Sequence, residues 1–255
     1  MKFKKAVLDR LRSNSGNMKL QEASSEFIKH SIKSQYSYNF SYMGRPIIQY
    51  PQDMVAMQEL IWLVKPDLII ETGIAHGGSL IMNASLLALL DYCDAVESNE
   101  MIDTKKTKRR VLGIDIDIRD HNRIAIEKHP MSNRIDMIEG SSISKDVIAK
   151  VKSLSKEYSK VMLCLDSNHT YAHVLSELVA YSSLVSIGSY CVVFDTIIED
   201  LPAGSFLDRP WDKEDNPKMA VKKFLSEHSN FVIDKNIDNK LLISVAPDGY
   251  LKRVE

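Results

Sequence analysis

The chain has 255 residues, 44% of them hydrophobic, enough for one large α/β domain with a sizeable core. Its formal net charge of −1 shows none of the basic excess that a nucleic-acid-binding protein ordinarily carries. Cys93, Cys164 and Cys191 stand far apart, two of them inside apolar runs, which fits reduced thiols in a cytoplasmic protein.

The basic start, Met1 to Lys5, leads into no signal-peptide core, and no run approaches the roughly 20 apolar residues of a membrane span. Residues 1–34 show helical spacing at Phe3, Val7, Leu8 and Leu11, a break over Ser13 to Asn17, and a second helix around Phe27, Ile28 and Ile32. Gln35 to Tyr50 is rich in Tyr, Ser and Gly without a helical period and reads as a long ordered loop, functional or stapling the helices onto the core. Residues 1–50 thus form an N-terminal appendage, and residues 51–255 the main domain.

Pro51 and Asp53 open a helix through Met57, Leu60, Ile61 and Val64. A buried strand, Leu68 to Glu71, then breaks into the turn Thr72-Gly73-Ile74-Ala75-His76-Gly77-Gly78, and a helix runs from Ser79 to Leu90. Asp91 to Arg110 reads as a polar insertion ending in a solvated basic run. Further strands are predicted at Val111 to Asp117, Ile135 to Glu139, Lys160 to Asp166 and Tyr190 to Asp195, separated by helices at 123–128, 146–159 and 170–184. After a loop from Glu199 to Asn216 come a helix from Pro217 to His228 and strands at Phe231 to Ile233 and Lys240 to Val245.

This alternation predicts a doubly wound, mostly parallel sheet, whose ligands sit at the carboxyl ends of the strands. Glu71, Asp115, Asp117, Asp166 and Asp195 all fall at such ends. One such acid is ordinarily a helix cap. Acids repeated on successive strands favour a shared site.

The turn after the first strand is a poor dinucleotide cradle. Ala75 stands where a middle glycine is wanted, and Asp115 lies far beyond the acid expected about 20 residues on. A carboxylate ahead of the first glycine repels phosphate but accepts from a cationic amine. S-adenosylmethionine (SAM) carries such an amine.

Residues Gly44 to Asp53, Glu71 to Ser79, Val111 to Arg119, Gly140-Ser141-Ser142, Leu165 to Thr170 and Gly188-Ser189-Tyr190 together resemble the cephalosporin hydroxylase family, whose relatives include the rhamnosyl O-methyltransferases. The resemblance spans about Gly44 to Arg253. It implies a Rossmann-like class I SAM-dependent methyltransferase fold, in a homo-oligomer, with a divalent metal between the ends of the fourth and fifth strands.

Carried onto this chain, the resemblance puts Gly73, Ala75 and Ser79 around the methionine part of SAM, with Glu71 at the floor of the pocket and His76 close by. Asp115, or Asp117 in its place, would hold the ribose, and Ser141 and Ser142 would lie near the adenine. Mg2+ would be held by Asp166 and Asp195, hard oxygen ligands. The family's acid pair at the end of the fifth strand is here Phe194-Asp195, so Thr196 or water would fill the remaining place. His169 is the candidate general base or a group supporting the metal ligands. His173 makes a His-x-x-x-His spacing that lacks a third zinc ligand.

The expected reaction is an in-line methyl transfer to a hydroxyl of a sugar or small molecule, with Asp166 and His169 at the chemistry. A saccharide is preferred for Trp211 and the tyrosines of the Gln35 to Tyr50 loop, which offer stacking faces. The competing readings are a nucleotide-dependent oxidoreductase and a degenerate binding protein on the same fold.

Overall fold

A computed structural model of the protein describes residues 2–255; Met1, the first residue of the basic start, lies outside the described residues. Helices α1 (Lys2–Gly16) and α2 (Met18–Lys33) abut at Asn17, whose side chain accepts from the Leu20 amide. The predicted break is therefore a single capping residue. The expected long loop instead holds a hairpin, β1 (Phe40–Tyr42) and β2 (Arg45–Ile47), turned at Met43 and Gly44. Tyr36 packs against Phe27, Phe40 and Tyr50, with ring centroids 5.1–5.6 Å apart, so this tyrosine is a staple.

After α3 (Pro51–Val64) come β3 (Leu68–Thr72), α4 (Gly78–Ser98), β4 (Arg110–Asp115), α5 (Asp120–Glu127), β5 (Ile135–Glu139), α6 (Lys145–Ser155), β6 (Val161–Leu165), α7 (Tyr171–Tyr181) and β7 (Tyr190–Val193). The chain closes with α8 (Pro217–Glu227), β8 (Phe231–Ile233), α9 (Lys235–Leu241) and β9 (Tyr250–Arg253). The seven-stranded sheet runs β5-β4-β3-β6-β7-β9-β8. Its first five strands are parallel, and β9 is antiparallel to both neighbours.

The central strands β3, β6 and β7 are mostly apolar because both faces are covered. Ile69, Met162, Cys164 and Val192 face one core layer with α3 and α4, whereas Ile70, Leu163, Leu165 and Cys191 face a second layer with α7 and α8. Each such side chain contributes about 1.5–3 kcal/mol by leaving water. Strand order reverses between β3 and β6, which opens a crevice at their carboxyl ends.

Four expectations are corrected. The helix predicted to stop at Leu90 continues to Ser98, and its extra turns present Asp91 and Asp94 to Arg109, with Asp91 also meeting Arg134. Arg109 is buried and Arg110 is paired with Asp136, so only the lysines of the basic run form a solvated face. The extension also makes Gly78–Ser98 long and apolar enough to cross a membrane by length and composition, contrary to the expectation that no segment would be. Leu80, Ile81, Ala84, Leu87 and Leu90 are buried against the sheet, which accounts for its apolarity. Lastly, Lys240 to Val245 is no strand. Asp234 caps α9 there, the Val245 amide is taken by Asp53, and the last strand is β9, hidden by the adjacent charges of Lys252 and Arg253.

Candidate functional site

The crevice is built by close backbone packing at the end of β3. Gly73 has φ +90°, and a Cβ there would come within 2.0 Å of the Asp166 carbonyl oxygen. Gly78 lies so close to β2 that a Cβ would meet the Pro46 carbonyl at 2.2 Å. These two glycines thus bring β6 and the hairpin against the turn.

The turn is braced from three sides. Asp115 accepts from the Ile74 amide at 2.7 Å and the Ala75 amide at 3.2 Å, and its other oxygen accepts from the Asp117 amide. A carboxylate therefore occupies amides that a dinucleotide pyrophosphate would need, which counts against the oxidoreductase reading. Asp117 keeps an exposed carboxylate just beyond β4. Arg45 donates twice to the His76 carbonyl and once to Asn122, whose amide donates to the Ala75 carbonyl at 2.8 Å. Ala75 itself is exposed on the turn, with φ +46°.

Glu71 has the parity of Ile69 and faces α4, where Ser79 and Asn83 both donate to its carboxylate. Burial lifts its pKa to about 7 despite these two donors. The Asn83 carbonyl oxygen beside it is buried without a partner. A floor holding an acid and a spare acceptor fits a cationic amine, the group by which SAM differs from a dinucleotide.

Asp166, His169 and Asp195 converge at the ends of β6 and β7, each offering a donor atom within 4.8 Å of the others. His169 Nε2 stands 3.2 Å from Asp195, and Trp211 meets its ring edge-on at a centroid distance of 4.7 Å. Gln49 donates to Asp166 at 3.0 Å. Burial, and then the charges of Asp195 and Glu71, hold the Asp166 carboxyl well above the usual carboxylate range. Two carboxylates and an imidazole nitrogen form a donor set that fits a divalent ion. Phe194 is buried in the apolar layer beside this group and supplies no ligand atom.

Two predicted site residues are engaged elsewhere. Thr196 is buried and donates to the Pro247 carbonyl at 2.7 Å. Ser142 points inward, where its hydroxyl meets Glu177 at 2.6 Å and His173 at 3.0 Å. Ser167 joins them, donating to Glu177 at 2.7 Å. This pairing of His173 also disposes of the His-x-x-x-His spacing, because His169 and His173 face different partners. Ser141, half-buried, stays at the end of β5.

Arg45, Gln49, Asp53, Asn122 and Glu177 were missed as site or supporting residues. The first three stand out as polar residues within the Gly44 to Asp53 segment. Nothing in the local sequence distinguishes Asn122 or Glu177 from ordinary helix residues. Asp53 is fully buried, accepting from Ser244, the Val245 amide and Tyr250, and burial raises its pKa to about 6.

A family model described as Rhamnosyl O-methyltransferase/CmcI matches residues 34–254. A rhamnosyl O-methyltransferase of Mycobacterium bovis is 27% identical over 219 residues, which cover 84% of this chain and 78% of that protein. A CmcI apo-structure aligns with a TM-score of 0.58 at 19% identity, covering 86% of this chain and 77% of that one. A CmcI structure with Mg-SAM aligns with a TM-score of 0.55 at 18% identity, over 86% and 78% of the two chains. At such identities these structures bear on the fold.

Proposed function

The chain belongs to the Rhamnosyl O-methyltransferase/CmcI family, and from that premise we propose that it transfers the methyl group of SAM to a hydroxyl of a sugar, with a rhamnosyl unit as the acceptor. The observation that carries this reading is the meeting of two half-sites at one crevice. The braced turn with buried Glu71 lies on β3, and the Asp166–His169–Asp195 group lies on β6 and β7.

SAM supplies a methyl on a sulfonium, so the departing thioether needs no acid. Glu71, with Ser79 and Asn83, would receive the amine of its methionine end, and Gly73, Ala75 and His76 would form the wall of that pocket. Asp115 holds the turn in shape and leaves Asp117 as the free carboxylate for the ribose. Ser141 lies on the adenine side. Asp166 and Asp195 would hold a divalent ion, whose charge would lower the pKa of an acceptor hydroxyl. His169, beside Asp195, would stand near the acceptor hydroxyl, and Trp211, against His169 and under Arg209, would border the sugar ring. Positioning of that hydroxyl supplies most of the acceleration.

A homo-oligomer fits the apolar side chains that α3 and α4 leave exposed, Trp62, Leu63, Leu89, Tyr92 and Val96. A reducing cytoplasm fits the free thiols of Cys164 and Cys191, buried on adjacent strands.

Incubation with SAM, a divalent ion and an aryl rhamnoside is expected to yield a methylated glycoside by mass spectrometry, with a chelator suppressing it. S-adenosylhomocysteine is expected to raise the melting temperature. An unchanged melting curve at saturating S-adenosylhomocysteine would overturn the reading; methylation of catechols but not of rhamnosides would overturn its substrate.

A further inference from the structure

The end of β7 carries Phe194 and Asp195, so strand ends alone give the metal group two carboxylates, Asp166 and Asp195. The third donor comes from the loop between β6 and α7. Asn168 accepts from the Thr170 amide at 3.0 Å and the Thr170 hydroxyl at 2.7 Å, closing a turn at His169. Trp211 holds the imidazole edge-on at an interplanar angle of 89°, and Nε2 points at Asp195. The His169 side chain is 15% exposed, shielded but open on one side.

A second observation lies at the opposite wall. Gln49 is 6% exposed, its amide nitrogen is committed to Asp166, and its amide oxygen is buried with no partner. Gln49 lines the same cleft as Asp166 and Phe194. The Asp166 carboxylate is thereby pinned by a neutral donor, with an unspent oxygen alongside.

We propose that His169 is a metal ligand in this chain, completing an imidazole-and-two-carboxylate site with Asp166 and Asp195 that prefers a transition ion of the Mn2+ or Fe2+ class to Mg2+. Imidazole nitrogen suits Fe2+ and is a better ligand for Mn2+ than for Mg2+, which takes oxygen ligands in a strict octahedron. Phe194 removes the oxygen donor that would have made the site a magnesium site, and His169 supplies a softer atom from another element. The proposal takes the metal's place from the methyltransferase reading, and it withdraws His169 from the role of general base. Loss of the acceptor's proton then depends on the charge of the ion.

The test uses the full chain, stripped with a chelator and reloaded with Mn2+. Pulsed electron paramagnetic resonance is expected to show modulation from a directly bound imidazole nitrogen. His169→Gln is expected to abolish it and weaken Mn2+ binding roughly tenfold or more. His169→Asp should retain a bound ion, lose the nitrogen signal and shift preference toward Mg2+. Wild type should bind Mn2+ more tightly than Mg2+ by roughly tenfold. Mn2+ bound without nitrogen modulation, no Mn2+ binding, or His169→Gln binding Mn2+ as wild type does would each overturn the proposal. Failure of the methyltransferase reading is scored separately, by S-adenosylhomocysteine leaving the melting temperature of wild type unmoved.

Discussion

The hydroxyl of Tyr250 donates to the carboxylate of Asp53 across 2.7 Å, joining the first turn of α3 to the last strand of the sheet. Both residues are fully buried, and Asp53 also accepts from Ser244 and the Val245 amide. Removing the acid would orphan three donors at once. Asp53→Ala is therefore expected to cost about 3 kcal/mol and Tyr250→Phe about 1 kcal/mol, read by chemical denaturation. Equal and negligible losses for the two would show that the cluster carries no stability.

Glu71 makes stability depend on pH. Burial raises its folded pKa to about 7 from an ordinary 4.5, so between those values the folded chain keeps a proton that the unfolded chain has lost. Its stabilising contribution is complete below the lower value and is lost as pH rises through the upper one. Glu71→Gln mimics the protonated form, and its advantage over wild type is expected to grow by roughly 2–3 kcal/mol from pH 4.5 to pH 8. Asp53 is shifted in the same direction and cancels in the difference between wild type and variant, whereas Asp166 feels the Glu71 charge, so the difference reads Glu71 together with its effect on Asp166. Parallel stability curves would refute the assignment.

Arg45 acts on the turn from Gly73 to Gly78 from a hairpin before the main sheet, through the His76 carbonyl and Asn122. It is partly accessible, so Arg45→Ala is expected to leave the fold intact while loosening the turn. Calorimetry should show S-adenosylhomocysteine binding weakened roughly tenfold, as for other groups that orient a site. Unaltered affinity would mean that the turn holds itself.

Gly73 has no room for a methyl group, since the Asp166 carbonyl oxygen occupies that position. Gly73→Ala is expected to cost several kcal/mol, on the order of 4, or to abolish cooperative melting. Gly16, where a Cβ meets nothing within 4 Å, provides the control. A Gly73→Ala protein that melts like wild type would show that β3 and β6 can part there at little cost.

Much of this molecule is written locally. The apolar runs at Leu68, Val111, Val161 and Tyr190 specify strands buried on both faces, because nothing else accommodates unbroken β-rich apolar segments between helices. The glycine turn after Glu71 and the acids at the strand ends announce a crevice for the same reason. Elements whose stability comes from distant partners were harder to read. β9 carries lysine and arginine in its short span, and it is a strand because Val192 and Val232 flank it on either side. The helix after Leu80 runs on through Asp91 because Arg109 and Arg134 arrive to neutralise it.

The sequence by itself determined the strand–helix alternation, the position of the turn and the family. The tertiary structure decided which polar group meets which. A buried carboxylate, serine or histidine can cap, pair or ligate with equal chemical competence, and its choice follows from chain closure across long separations. Ser142 turned inward to Glu177, Thr196 turned to Pro247, and His169 came to Asp195 while His173 went the other way. Each outcome satisfies a desolvated polar atom with the partner that the packed sheet happens to bring within hydrogen-bond reach, and spacing along the chain carries no record of it.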